Sequence, residues 1–171
     1  TALCLDLIAV GINKSLVKEA VRLLLALLYR EGGNKAVQRT IWEHLSNGRS
    51  ELFFVAMVEE MDKLYSFHDN QRLSKKQRSK YVTNEEPLTL WFAQLLQLMS
   101  EGHYLPNQNL VREQPQNDTS VNLLDKFVEL LSGLSSLPRD LTTDSMHQLA
   151  STLLEVIQGP CLGNQSHLAI E

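Results

Sequence analysis

The stretch Ser15–Tyr29, SLVKEAVRLLLALLY, followed almost at once by Gly32-Gly33-Asn34, decides the fold class. Ser15 is of a type whose side-chain oxygen caps free backbone N–H groups, which predicts a helix from there to about Tyr29. Leu16, Ala20, Leu23, Leu27 and their neighbours form a stripe that widens until the helix is apolar nearly all round. Such a helix is expected to be surrounded by others. The glycine pair adopts the left-handed terminal conformation at little cost and so ends it. The run Leu23–Leu28, bracketed by Arg22 and Arg30, is far too short to span a bilayer and reads as a buried segment.

Helical punctuation continues outward from this stretch. A helix from about Lys35 to Leu45 is stopped by Asn47-Gly48, and Ser50 caps the next, whose stripe is Phe53, Phe54, Met57, Val58 and Met61. Thr83-Asn84-Glu85-Glu86-Pro87 has the form of a capping box with proline in the first turn. Its helix should bury Leu88, Trp91, Phe92, Leu95, Leu98 and Met99, ending near Glu101-Gly102. Pro106 opens a short helix. Another is expected from about Thr119 to Leu131, with Val121, Leu124, Phe127, Val128 and Leu131 inward, and Ser132 to Pro138 as a loop. The last, from about Thr142 to Gln158, packs through Met146, Leu149, Leu153 and Ile157 before Gly159-Pro160.

No apolar alternation of period two is sustained, so no sheet is expected. The helices are too many and too uneven for a four-helix bundle. The expected fold is all-α, an armadillo-like helical solenoid of stacked antiparallel helices.

Residues from about Ser66 to Asn84 interrupt the pattern. They are polar and carry Arg72, Lys75, Lys76, Arg78 and Lys80. The expectation is a flexible basic connector at about 66–84. Ser74 and Ser79 beside basic residues leave a docking or phosphorylation loop as the sharper alternative.

Composition bounds the function. Hydrophobic residues at 43% and charged residues at 21% suit a globular domain with a real core. A formal charge of −4 is too mild to announce a nucleic-acid surface. Cys4 and Cys161 form no CxxC pair and no metal spacing, as expected in a reducing cytosol. P-loop, dinucleotide, HExxH and GxSxG signatures are missing, the histidines are scattered, and His44 reads as a surface or interface residue. Gly32-Gly33-Asn34 before a helix offers backbone amides to an anion, although a turn of this kind is usually only a turn. The Asn-x-Ser/Thr triplets at Asn13, Asn117 and Asn164 read as chance in a chain without a secretory signal. Thr1 at the start and the helical run Leu168–Glu171 at the end suggest a single helical domain, 1–171, excised from a larger chain.

Five stretches, in order, carry a family resemblance. Glu31–Gln38, EGGNKAVQ, is similar to the Gly-Gly-Asn-x-x-Val/Ile-Gln of inositol trisphosphate and ryanodine receptors, and Ser50–Phe54, SELFF, to their Ser/Glu-x-Phe-Phe. Leu95–His103, LLQLMSEGH, and Leu110–Gln114, LVREQ, resemble further stretches of the same segment. Glu155–Gln165, EVIQGPCLGNQ, is similar to Glu-Tyr-x-Gln-Gly-Pro-Cys-x-x-Asn-Gln. Ser100 stands where the family usually has cysteine and Tyr104 where it has asparagine. The subfamily stays open.

The resemblance implies a cytosolic segment just ahead of the channel domain of a tetrameric calcium-release channel, on the face of the endoplasmic or sarcoplasmic reticulum. It would couple ligand binding to the pore through the rest of its own polypeptide and neighbouring subunits, without itself entering the membrane. It also implies an activating calcium (Ca2+) site to which Glu101 and Glu155 contribute, completed by a residue from beyond the pore. Calcium takes roughly six to eight oxygen ligands, so two carboxylates alone should bind it weakly. The rival reading is a soluble armadillo-like scaffold for other proteins. An enzyme would need a catalytic constellation in another domain.

Overall fold

The computed structural model describes residues 1–48, 50–73 and 85–170. Among them the regular elements are all helical: α1 (Ala2–Val10), α2 (Lys14–Leu28), α3 (Lys35–Leu45), α4 (Glu51–Arg72), α5 (Thr89–Ser100), α6 (Leu105–Arg112), α7 (Leu123–Ser135), α8 (Arg139–Ile157) and α9 (Leu162–Ile170). The helices pack as a solenoid-like stack. α5 and α8 share the broadest contact, α2 and α4 also lie on α5, and α7 joins α4 to α8. Phe53, Phe54, Met57, Phe92, Leu95, Leu96, Leu124 and Phe127 form one continuous core across these helices.

α2 forms as its sequence dictates, but turned about its axis from the expected stripe. Asn13, rather than Ser15, caps it, accepting from the Leu16 N–H at 3.1 Å. Val17, Ala20, Val21, Leu24 and Leu28 face inward. Of the predicted stripe only Ala20 is buried, while Leu16, Leu23 and Leu27 are 48%, 52% and 38% exposed. The exposed charges Lys18, Glu19 and Arg22 mark the outer face of α2, and the buried face lies opposite them, rotated away from the line of Leu16, Leu23 and Leu27.

Other boundaries moved for equally physical reasons. Ser50 stands at the cap position of α4, yet its hydroxyl donates to Asn117 Oδ1 at 3.0 Å instead of capping. The expected connector does not begin at Ser66. α4 continues to Arg72 because His68 and Asn70 are buried and His68 Nε2 lies 2.9 Å from Ser145 Oγ on α8. Ser74, Ser79, the cations from Lys75 to Lys80 and the Thr83-Asn84 capping pair lie outside the described residues. α5 begins at Thr89, and its first turn is served from outside: Glu60 of α4 accepts the Leu88 N–H at 2.6 Å. α7 is displaced to Leu123–Ser135, capped by Asn122, which takes part of the expected loop into helix and leaves Val128 exposed. α8 starts at Arg139, behind Pro138.

Candidate cation site at the junction of three turns

Three turns meet at one end of the stack: Gly32-Gly33 before α3, Glu101-Gly102-His103 after α5, and Gly159-Pro160 after α8. Each is bent by a residue at positive φ, including the non-glycine His103 at 58°. They approach so closely that side chains would collide. A Cβ on Gly33 would lie 2.7 Å from the Glu101 carbonyl oxygen, one on Gly102 2.3 Å from that of Gly32, and one on Gly159 2.7 Å from His103 Cγ. Glycine serves here for close backbone approach as well as for its conformation.

Buried amides fasten the junction. Gln38 Nε2 donates to the carbonyls of Leu98 and Glu101, at 3.0 and 2.9 Å, and so closes the end of α5. Gln108 Nε2 does the same for α8, donating to Glu155 and Gln158 at 2.9 and 3.0 Å. Asn107 ties the Gln38 and Met99 carbonyls together, and Asn164 ties those of Gln108 and Val156. The last carbonyls of a helix lack intrahelical partners, and these side chains provide them. The arrangement leaves Gln38 Oε1, Asn107 Oδ1 and Gln108 Oε1 buried without a partner.

The two glutamates singled out by resemblance lie in this junction. Glu101 is the C-cap of α5 and Glu155 is in the last turn of α8; both are partly buried. Burial pushes the Glu155 carboxyl above the usual carboxylate range, and repulsion from Glu101 adds to the rise. His103, the Gly102 N–H and Lys35 work against it. The charge of Glu101, the Glu155 carboxyl and the carbonyls at the ends of α5 and α8 concentrate negative charge at this junction. Among the described residues no group of three or more His, Cys, Asp or Glu side chains is placed to hold a metal ion.

The sequence reading missed Lys35, His103, Gln38 and Gln108. Positive φ at His103 has a faint signal in the adjacent Gly102. Gln38 is marked only as the last position of the Gly-Gly-Asn-x-x-Val/Ile-Gln resemblance and Gln108 not at all, because an amide within a helix reads as a solvated residue until its partners, 47 to 63 residues away, are known. His44 bridges α3 to Asp6 on α1 at 3.0 Å, and so joins two elements. A separate concavity of about 630 Å³, lined by Trp42, Leu45, Pro106, Leu110 and Pro115 among others, includes neither glutamate.

No helix among the described residues is long and apolar enough to cross a membrane. Residues 83–171, just over half the chain, match the family profile described as RyR and IP3R Homology associated. That span contains α5 to α9, and with them both glutamates.

Proposed function

The chain belongs to the RyR and IP3R homology associated family, and from that premise we propose that it is a regulatory segment of an intracellular calcium-release channel in which Glu101 and Glu155 help form an activating calcium site. The observation that supports the reading is that Glu101, at the end of α5, and Glu155, in the last turn of α8, fall at one junction of turns, near enough for the charge of Glu101 to raise the Glu155 carboxyl. Calcium, when bound, supplies the positive charge that cancels their repulsion. The chain's own residues place the two groups: Gln38 binds the Glu101 carbonyl, Gln108 binds that of Glu155, and the glycine turns let the three turns approach closely.

Two carboxylates fall short of a full calcium shell, so this segment is half of a site, and its affinity depends on oxygen donors from another part of the channel. An ion that binds better when that part is near favours the conformation that brings it near, which makes it a gating signal. In this reading the segment lies on the cytosolic face of the reticulum membrane in a homotetramer, contacts other domains of its own polypeptide and neighbouring subunits, and performs no catalysis.

The test is calcium activation of the full-length channel carrying Glu101→Gln or Glu155→Gln. Activation should move to higher calcium in each variant. Unchanged activation curves would sink the site assignment.

The second reading, a protein-binding scaffold, draws on the outer face of α2, where Leu16, Leu23 and Leu27 form an exposed apolar stripe. Sequencing the transcript downstream of the Glu171 codon separates the two. Membrane-spanning helices with a pore loop support the channel, and further soluble helices favour the scaffold.

A further inference from the structure

Lys35 begins α3 and reaches across to the end of α5. Its Nζ donates to the carbonyl oxygens of Glu101 at 3.2 Å and Gly102 at 2.8 Å, and lies 5.4 Å from the centre of the Tyr104 ring. These are ligands of the kind a small cation seeks: carbonyls at the negative end of a helix, that of Glu101 shared with Gln38, an aromatic face, and nearby carboxylate charge. The ammonium also sits within electrostatic reach of Glu155, where it favours the ionised carboxylate. Lys35 itself is exposed, so its side chain can leave for solvent, whereas Gln38 beneath it is buried.

We propose that Lys35 is the built-in counter-ion of the Glu101–Glu155 pair, and that a divalent cation binds by displacing its ammonium group. The inference rests on the calcium-site reading above and adds to it a competitor carried by the chain. A divalent ion brings one charge more than the ammonium it replaces, so exchange is favourable for calcium. A monovalent ion brings no such gain. The tethered lysine therefore raises the calcium concentration at which the site fills, and disfavours occupation by sodium or potassium.

The experiment is equilibrium binding of calcium to the full-length protein in four forms: wild type, Lys35→Met, Lys35→Arg and Glu155→Gln. Methionine keeps most of the apolar stem without the charge, and arginine keeps the charge. Lys35→Met should bind calcium about tenfold more tightly, the scale expected for removing one positive charge several ångströms from a divalent ion in a solvated site. Lys35→Arg should stay close to wild type, which a purely structural role for the lysine amine would not predict. Glu155→Gln should bind more weakly. If Glu155→Gln weakens binding while Lys35→Met leaves it unchanged or weaker, the counter-ion proposal is overturned and the calcium site stands. If neither variant changes binding, the glutamate pair is not the site and both ideas fall. Circular dichroism of each variant shows whether the helices are retained, and a Lys35→Met protein that melts earlier with no gain in affinity also counts against the proposal.

Discussion

Gln108 Nε2 lies 2.9 Å from the backbone carbonyl of Glu155, so a side chain of α6 holds the residue that carries one of the two carboxylates. The same nitrogen reaches Gln158 at 3.0 Å. Gln108→Ala removes both bonds and strands two carbonyls where a protein group had replaced water. Loss of such bonds costs about 1–3 kcal/mol. Urea unfolding of the variant should show a lower midpoint with little change in slope, and calcium binding should weaken although no carboxylate was altered. An unchanged midpoint would mean that water replaces the amide freely.

Glu155 is predicted to trade stability for binding. Its carboxyl is held above the ordinary range by burial first and Glu101 second, so the folded state retains its proton more readily than the unfolded chain does. That contribution is present below the unfolded pKa and is lost as pH rises through the folded one. At neutral pH the ionised group therefore opposes folding when no cation is present. Glu155→Gln keeps the shape of the side chain and removes the charge. The variant should melt no earlier than wild type in chelator, and should lose the stabilisation that calcium gives to wild type. A clear fall in Tm in chelator would contradict this account.

The fold was readable where the chain punctuates itself and ambiguous where it does not. Asn34, Gly48, Pro106 and Gly159 mark ends or starts that the structure retains, because a turn or first-turn preference is written in one residue. The rotation of α2 is missed at Leu16, Leu23 and Leu27 when leucines are weighed without the charged face of Lys18, Glu19 and Arg22, which points the other way from Val17, Val21, Leu24 and Leu28. The end of α4 was hidden by polarity. His68 and Asn70 read as solvent-facing, but α8 supplies Ser145 to His68. Local pattern alone would have left Glu101 and Glu155 as two ordinary helix-end carboxylates; the resemblance drew attention to them. Lys35 had no local mark at all, because its acceptors are 66 and 67 residues away.

His68 gives a pH prediction remote from the glutamates. Burial holds its pKa below the ordinary value of 6.5, against a smaller opposing effect from Glu86. The unfolded chain therefore binds a proton that the folded chain resists, and stability rises with pH across the interval between the two values. The contribution is whole above 6.5 and is lost as pH falls from there through the folded pKa. Unfolding midpoints measured from pH 7.5 to 5 should decline in wild type. His68→Gln, which stays neutral, should flatten that part of the profile, even if it lowers stability at every pH by loosening the contact with Ser145. Parallel profiles would show that other groups account for the decline.

Gly32 and Gly102 provide a paired test of how tightly the turns are pressed together. Both have positive φ, at 71° and 66°. A Cβ on Gly32 would meet nothing within 4 Å, so Gly32→Ala should cost only the left-handed conformation, about 1–2 kcal/mol. A Cβ on Gly102 would sit 2.3 Å from the Gly32 carbonyl oxygen and 2.9 Å from Lys35 Nζ. The lysine can move, but the carbonyl belongs to the backbone and no rotamer change relieves it. Gly102→Ala should therefore cost more than Gly32→Ala in urea unfolding. On the proposed site it should also weaken calcium binding, because Gly102 lies between Glu101 and the Glu155 carboxylate whose ionised form its N–H favours. Equal losses for the two alanines would show that the turns separate at little cost. The junction would then be too soft to hold two like charges together, and the proposed site would lose its physical basis.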